Sequence, residues 1–522
     1  MSYRVCIPTA GTGSRLGELT RYINKSLVSI ANRPTLSHQI EQFPEDTEFV
    51  IALGHKGALV REFLTLAYPE RHFMFADVSS FEGPGSGLGL SLLACKPYLQ
   101  QAFVFISCDT LVKEPVPAPD VNWMACAQLD DLAPYRTLSI KNGRVSAICE
   151  KGVGQAGSHK PYIGLAGIAD YADFWSAMEQ GGQAAIDTGE AYGLRLLLDS
   201  GITAHDFTWN DTGNLEKLGQ ARAAYAEADA PNILEKANEA IWFVDRQVIK
   251  FSDDQKFIAN RALRAHSLQG YVPEVTAVQP HMYSYPKAQG RVLSELITLP
   301  LFEKLLSHSK GFWIEMALNE AATLDFNNAC KRFYRDKTYE RVELFYKNFS
   351  RRDGTESING LAMPALDALL GAVDWDWLSQ GVPVRFHGDF HFENILWNDT
   401  DQKFTFLDWR QDFAGDIVKG DIYYDFAKLL HGMIISHEII ANDQYSITWH
   451  AQEISYDFHR KQILVECERY FENWVTREGY DRKKTSILTA LIYLNIAALH
   501  HYPYSLLLYS LGKKILENAL EN

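Results

Sequence analysis

The hydrophobic pattern changes character along the chain. Residues 1–228 alternate short, unbroken apolar runs, such as Val5-Cys6-Ile7-Pro8 and Phe103-Val104-Phe105-Ile106, with helical stretches. Such runs predict strands buried on both faces, and their alternation with helices predicts a mostly parallel sheet in a three-layer α/β domain. Residues 215–229 are Ala-rich and amphipathic, with Leu218, Ala221 and Tyr225 on one face, and would close this domain. Ala228-Asp229-Ala230-Pro231-Asn232 is a short break, and a second domain, 233–522, begins near Ile233. It opens with two strand patterns, 240–244 and 247–251, joined by a tight Asp245-Arg246 turn. Beyond Pro300 the pattern is largely helical: 301–306, 312–333 and 339–349. The apolar run 382–386 then feeds a polar loop, a second apolar strand ends at Asp408, and helices are expected from 425 to 520.

Composition narrows the function classes. The chain has 522 residues, 47% hydrophobic and 22% charged, as expected of a globular protein with more than one domain. A net charge of -15 argues against a nucleic-acid surface, so positive charge should be local to small-molecule phosphate sites. The seven cysteines are scattered without metal-ligand spacing and read as reduced, buried thiols in a cytoplasmic protein. The chain enters a strand at once, so no signal peptide is expected. Residues 435–440 and 487–499 are apolar but interrupted by His, Glu or Asn, so no membrane span is expected. A homo-oligomer stays open.

Two stretches carry chemistry. Residues 387–394 read His-Gly-Asp-Phe-His-Phe-Glu-Asn, and Phe406-Leu407-Asp408-Trp409 follows. Phosphoryl transfer from ATP needs a carboxylate to orient the acceptor hydroxyl, with an amide oxygen and a carboxylate to hold Mg²⁺ on the phosphates. Asp389, Asn394 and Asp408 supply that set in order. At the other end, the strand 5–8 runs into Thr9-Ala10-Gly11-Thr12-Gly13-Ser14-Arg15-Leu16, and Asn24-Lys25-Ser26-Leu27 follows. Glycines after a first strand let backbone N–H groups approach a phosphate, and Arg15 and Lys25 add positive charge there. It is neither a dinucleotide fingerprint nor a P-loop, since Leu16 holds the third glycine position and G-x-x-x-x-G-K-[ST] is absent.

The 387–409 segment resembles the aminoglycoside phosphotransferase and choline-kinase-like superfamily. That resemblance implies a two-lobed, protein-kinase-like α+β domain that phosphorylates small molecules. It implies Asp389 as catalytic base, Asn394 and Asp408 as metal ligands, and His391 as a support of the catalytic loop. Gly420-Asp421-Ile422-Tyr423-Tyr424-Asp425-Phe426-Ala427-Lys428-Leu429 matches the family's helix start, where Asp421 can cap the helix and Asp425 can brace the loop. Lys250, ending the strand 247–251, sits where kinases place the lysine of the α- and β-phosphates. No glutamate lies between Phe251 and Pro273, so the usual partner of that lysine is missing. Choline kinases carry an acidic residue after the Asp-Trp or Asp-Phe pair; this chain has Arg410, which implies a neutral or acidic acceptor.

The amino-terminal string, with Asn24-Lys25-Ser26-Leu27, resembles the sugar-phosphate nucleotidylyltransferases, which implies a Rossmann-like three-layer domain. Phe103–Asp109 matches the strand that delivers a first metal-binding aspartate, although Cys108 replaces the usual glycine. Trp209-Asn210-Asp211-Thr212-Gly213 matches the segment whose aspartate is the second Mg²⁺ ligand, here Asp211 beside Asp109. Lys151 of Glu150-Lys151 would contact the acceptor phosphate, and residues 162–168 would line its pocket. Ala10, Gly11 and Gly13, with Gly85 and Gly87 of Gly83-Pro84-Gly85-Ser86-Gly87, would bind the nucleotide. Two aspartates converging on Mg²⁺ suit in-line attack on an α-phosphate by a phosphate oxygen that is already an anion, with Arg15 and Lys25 stabilising charge.

Together the expectations describe one chain with two transfers on small-molecule substrates. ATP phosphorylates a sugar, polyol or sugar acid, and a second NTP then activates the product as an NDP precursor for a surface polymer. Two alternatives stay open: a choline- or ethanolamine-type kinase joined to a phosphocholine-type cytidylyltransferase, or a nucleotidylyltransferase with a regulatory pseudokinase.

Overall fold

The computed structural model describes residues 3–226 and 236–521. The chain divides into two compact units, one of residues 1–258 with 276–286, the other of 259–275 with 287–522. Among the described residues, no helix is long and apolar enough to cross a membrane.

The first unit is built on a nine-stranded sheet. Phe73–Asp77, Glu48–Leu53, Arg4–Pro8 and Phe103–Ile106 lie side by side and parallel. The sheet then turns mixed: His159–Ile168 runs antiparallel to Phe103–Ile106 and to Trp123–Cys126. Only Trp123–Cys126 with Thr203–Asp206 restores a parallel pair before two antiparallel strands, Arg144–Cys149 and Thr137–Lys141, the second of which also pairs with His159–Ile168. The expected mostly parallel sheet is therefore confined to its first four strands. Alternation along each strand makes three layers: Val5, Ile7, Phe49, Ile51 and Val104 belong to one apolar cluster, and Cys6, Val50, Phe103 and Phe105 to the other. Ligands of open α/β sheets bind beyond the carboxyl ends of parallel strands. Those ends release the loops that carry residues 9–16 and 107–109.

A four-stranded antiparallel sheet belongs to the same unit, in the order Glu239–Val244, Gln247–Ser252, Met282–Pro286, Ala277–Gln279. The expected break at 228–233 lies outside the described residues, and the compact units divide the chain elsewhere. The cause is shared burial. Trp242, Val244, Ile249, Phe251 and Met282 are buried in one cluster with Leu59, Val60 and Phe63 of the helix Gly57–Ala67. Trp242 meets Phe63 edge-on at 5.3 Å and donates from Nε1 to Ser29 Oγ at 2.9 Å. Glu62 accepts from the His281 backbone N–H at 2.9 Å. The helix expected over 215–229 is described as Leu215–Ala224, capped by Asn214.

The second unit is mainly helical around the hairpin Ile395–Asn398 and Lys403–Phe406. The helix expected over 312–333 begins only at Glu320, because residues 314–316 are taken by strand-like pairing. Met316 N donates to Pro383 O at 2.8 Å and Arg385 N to Ile314 O at 3.1 Å, before Asn319 caps the new helix. That helix, Glu320–Lys331, widens into a π-turn at Arg332–Asp336 and continues as Lys337–Asn348. Within the turn, Phe333 and Tyr334 are consecutive and both buried. The expected helical stretch 425–520 is interrupted by a hairpin, Tyr445–His450 with Glu453–Phe458. Its partner Glu356–Ile358 lies about a hundred residues upstream, too far away for a local pattern to reveal.

Candidate active sites

In the first unit, four expected residues meet around one glycine. Trp209–Asp211 pairs antiparallel with Thr110–Val112, placing Asp211 opposite Thr110. Thr212 N–H donates to the Asp109 carbonyl at 3.0 Å, which locks the two acidic turns together. A side chain at Gly213 would sit 3.0 Å from Asp211 Oδ1, 3.4 Å from Asp109 Oδ2 and 3.6 Å from Arg15 Nη2, so both carboxylates and the guanidinium converge there. Lys25 Nζ lies 3.2 Å from Asp109 Oδ2.

Local structure holds each group. Asn24 caps the turn of Lys25, accepting from Ser26 N at 2.9 Å and donating to Thr9 O at 2.9 Å and to His55 O at 2.6 Å. Gly13, at φ 68°, leaves the room that Lys25 needs, since a Cβ there would lie 2.8 Å from Lys25 Cβ. Burial opposes both charges of the Lys25–Asp109 pair, but their mutual attraction together with neighbouring charges and hydrogen bonds outweighs it. The lysine is pushed up, and Asp109, aided by Ser107 and Arg15, is held down to about 2.

Other expected residues stand apart from this cluster. Ala10 is buried and its carbonyl accepts from His55 N at 3.0 Å, whereas Gly11 faces open space. Gly85 has a left-handed φ of 83° and open space around it. Gly87 is required by packing, because a Cβ would lie 2.4 Å from Ile186 O. Lys151 is exposed at a turn with no ion-pair partner among the described residues, while Glu150 pairs with Arg136 at 3.1 Å and with Arg195. Lys250 is buried in the four-stranded sheet, opposite Ile241 and Tyr283.

In the second unit, Asp389 is the hub. Lys428 Nζ lies 2.8 Å from its Oδ1, and His391 Nε2 lies 3.5 Å from its Oδ2. Asn394 Nδ2 donates to Asp389 O at 3.0 Å and to Oδ2 at 3.1 Å. Its amide oxygen has no hydrogen bond among the described residues and is free for a cation. His391 is braced by Glu393 at 2.9 Å. Burial disfavours the charges of Asp389, His391 and Glu393, yet Lys428 at Asp389, then the pairing of His391 with both carboxylates, prevails. Asp389 falls well below the carboxylate range, His391 rises to about 9 and Glu393 falls to about 2.

Asp425 holds the loop from beneath, accepting from His387 N at 2.7 Å, Gly388 N at 2.6 Å and Trp313 Nε1 at 3.0 Å. Burial pushes this carboxyl up to about 6 against those bonds. Asp421 caps the helix Ile422–Ile434 through Tyr423 N and accepts from Tyr334 Oη at 2.7 Å. Asp408, at φ 59°, pairs with Arg261, and Arg264 of the same helix donates to the Arg410 and Phe386 carbonyls. Arg410 donates from Nε to Asp412 O at 3.0 Å.

Residues 316–460 match the phosphotransferase enzyme family (APH). This part of the chain is a phosphotransferase-family domain. No curated protein matches the chain significantly. In fold, the amino-terminal part resembles nucleotidyltransferases among the solved structures. A UDP-glucose pyrophosphorylase complexed with UDP-glucose shares 17% identity over 43% of this chain and 98% of that chain, with a TM-score of 0.38. A putative glucose-1-phosphate thymidylyltransferase from Bacillus anthracis shares 19% over 45% and 98%, with a TM-score of 0.37. CTP:phosphocholine cytidylyltransferase from Streptococcus pneumoniae shares 15% over 43% and 100%, with a TM-score of 0.37.

In the phosphotransferase domain, sequence reasoning missed Lys428, Glu393 and Arg261. Lys428 lies inside the helix-start motif, one turn beyond the bracing Asp425, and that spacing was its available signal. In the amino-terminal site it missed Tyr135, whose hydroxyl donates to Asp211 Oδ2 at 2.9 Å, and Ser107, which donates to Asp109 Oδ1 at 2.6 Å. Among the described residues no three His, Cys, Asp or Glu side chains could hold a metal. Each site offers a donor pair, Asp109 with Asp211 and Asn394 with Asp408. That donor chemistry fits Mg²⁺ arriving on nucleotide phosphates, which complete its oxygen shell.

Proposed function

We propose that the chain phosphorylates a small hydroxylated molecule with ATP and then activates the product with a second nucleotide. The observation that supports the reading is two clusters of charged side chains on one chain, one around Asp389 and one around Gly213, each suited to phosphate chemistry. In the phosphotransferase domain, the acceptor hydroxyl loses its proton towards Asp389 as its oxygen bonds to the γ-phosphorus and ADP leaves; the proton passes to solvent. Asn394 and Asp408 would hold Mg²⁺, which neutralises phosphate charge when bound, and Lys250 is proposed as a ligand of the α- and β-phosphates. In the amino-terminal domain, an anionic oxygen of the phosphorylated product attacks the α-phosphorus of an NTP, and pyrophosphate leaves. No base is required, and Arg15 and Lys25 supply the charge stabilisation. Asp109 and Asp211 would hold Mg²⁺, Lys151 would meet the acceptor phosphate, and Ala10, Gly11, Gly13, Gly85 and Gly87 would border the nucleotide. The product class is an NDP-activated precursor for a surface polysaccharide or related glycoconjugate, made in the cytoplasm from a sugar, polyol or sugar acid.

The test is product analysis by mass spectrometry after incubating the intact protein with ATP, Mg²⁺, mixed NTPs and a pool of sugars, polyols and their acids. The expected product is an NDP-linked compound. Lys25→Ala should stop at the phosphorylated intermediate, and mixing it with Asp389→Asn should restore the final product. A purified kinase product that no common NTP activates would refute the coupling. A second reading, a regulatory kinase-like domain, draws on Arg261 pairing with Asp408 where a metal ligand is expected. ATP turnover that disappears in Asp389→Asn would dismiss it.

A further inference from the structure

We propose that the phosphotransferase site takes an acceptor alcohol bearing a fixed negative charge, and that Lys337, Arg341 and Arg410 bind that charge beside Asp389. The inference rests on the phosphotransferase reading above and names its substrate class.

Arg410 flanks the catalytic loop. Its backbone N–H donates to His387 O at 2.9 Å, and a Cβ on Gly388 would lie 2.6 Å from Arg410 Cβ. The guanidinium lies over the ring of Phe333, 5.0 Å from its centroid. Lys337 Nζ lies 4.4 Å from the same centroid. Two cations therefore share one aromatic ring, and Lys428, 2.8 Å from Asp389, adds a third charge that both of them feel. Arg341 follows Lys337 by one helical turn and contributes a fourth.

This positive charge has little compensation. Among the described residues no carboxylate lies within 4.0 Å of Lys337, Arg341 or Arg410. Asp389 is engaged by Lys428 and His391. Asp412 offers Arg410 its carbonyl, while its Oδ1 accepts from Gly415 N at 2.9 Å. Burial, then Arg410, Lys428 and Arg341, push the Lys337 ammonium down to about 7, and Asp412 offsets only part of this. Half-buried cations held together without counter-ions are unfavourable in the empty protein, and an anion arriving among them relieves that repulsion. The π-turn at Arg332–Asp336 precedes Lys337 directly and carries Phe333, and such turns inside helices are frequent at functional sites.

A cationic acceptor such as choline would meet repulsion here. An alcohol with a carboxylate or a phosphate several ångströms from the reacting hydroxyl would be held by charge-assisted bonds while that hydroxyl faces Asp389. The transfer itself is unchanged: alcohol and ATP give phosphoester, ADP and a proton.

The test is isothermal titration of the intact protein with matched ligands: glycerol, D-glycerate and glycerol 3-phosphate; glucose, D-glucuronate and glucose 6-phosphate; and choline. At least one acid or phosphate should bind about tenfold or more tightly than its neutral partner. Lys337→Met and Arg410→Met should each erase most of that preference, and Lys337→Arg should keep it. The carboxylate and phosphate arms decide which anion is read. Neutral or cationic ligands binding as well as the acids, no ligand of the panel binding, or acid binding untouched in both methionine variants would overturn the inference. An acid that binds through these residues but is never phosphorylated with ATP would instead refute the phosphotransferase reading and leave the anion site standing.

Discussion

Replacing Lys428 by Met isolates the electrostatics of Asp389, the carboxylate proposed as the catalytic base. The ammonium lies 2.8 Å from Asp389 Oδ1, with the lysine side chain 14% exposed and the aspartate 37% exposed. With the aspartate more than a third exposed, an effective dielectric of about 40, between about 20 near a protein surface and about 80 in bulk water, discounts the attraction to about 3 kcal/mol. One pKa unit corresponds to about 1.4 kcal/mol, so the carboxylate should rise by about two units when the lysine is removed. The sign follows from the native state. Asp389 is depressed, so its ionised form persists as pH falls until the depressed pKa is reached, and losing Lys428 moves that point upward. Only the ionised carboxylate can accept the hydroxyl proton. The acid limb of kcat/KM for acceptor phosphorylation should therefore move up by about two pH units in Lys428→Met and stay near wild type in Lys428→Arg. His391 keeps a second cation at the carboxylate and prevents a larger shift. An acid limb unchanged in Lys428→Met would show that the lysine does not set the state of Asp389.

Three further outcomes are expected. Lys25→Ala should cut pyrophosphate release by about a hundredfold or more while acceptor phosphorylation stays at the wild-type rate, read by parallel assays on one preparation. His391 is raised to about 9, so its stabilising charge is complete below about pH 6.5 and fades as pH climbs towards 9. The thermal stability of the wild type should fall over that window, and His391→Asn should flatten the dependence. Lys513 and Glu356 form a pair 2.6 Å apart with side chains 0% and 4% exposed. Lys513→Met strands the carboxylate and should destabilise by about 3–5 kcal/mol, and adding Glu356→Gln should recover much of it, measured by denaturant unfolding.

The parts of the sites legible in the sequence were those written in short motifs. Asp389 with Asn394, and Asp109 with Asp211, could be named because each sits at a strand end or tight turn whose residues are contiguous. Lys428, Tyr135 and Arg261 were not legible, because each reaches its partner from an element distant in sequence. Spacing cannot show which helix face will meet which loop. The strand patterns at 240–251 were read correctly as strands, yet their burial with the helix Gly57–Ala67 depends on contacts nearly two hundred residues apart. The break at Glu320 escaped because the apolar residues before it suit a helix as well as the strand-like pairing they adopt.

The tryptophan in the four-stranded sheet has a consequence for how such a chain can change through descent. Trp242, Ile249 and Met282 have no exposed surface, and they are buried in one cluster with Phe63 and Leu59. A chain cut between residues 226 and 236 would leave one fragment with an uncovered apolar sheet and the other with a bare face on the helix Gly57–Ala67, so both fragments should be prone to aggregate. Separating the two parts in descent would therefore first require a repacked sheet on one side and a polar helix face on the other.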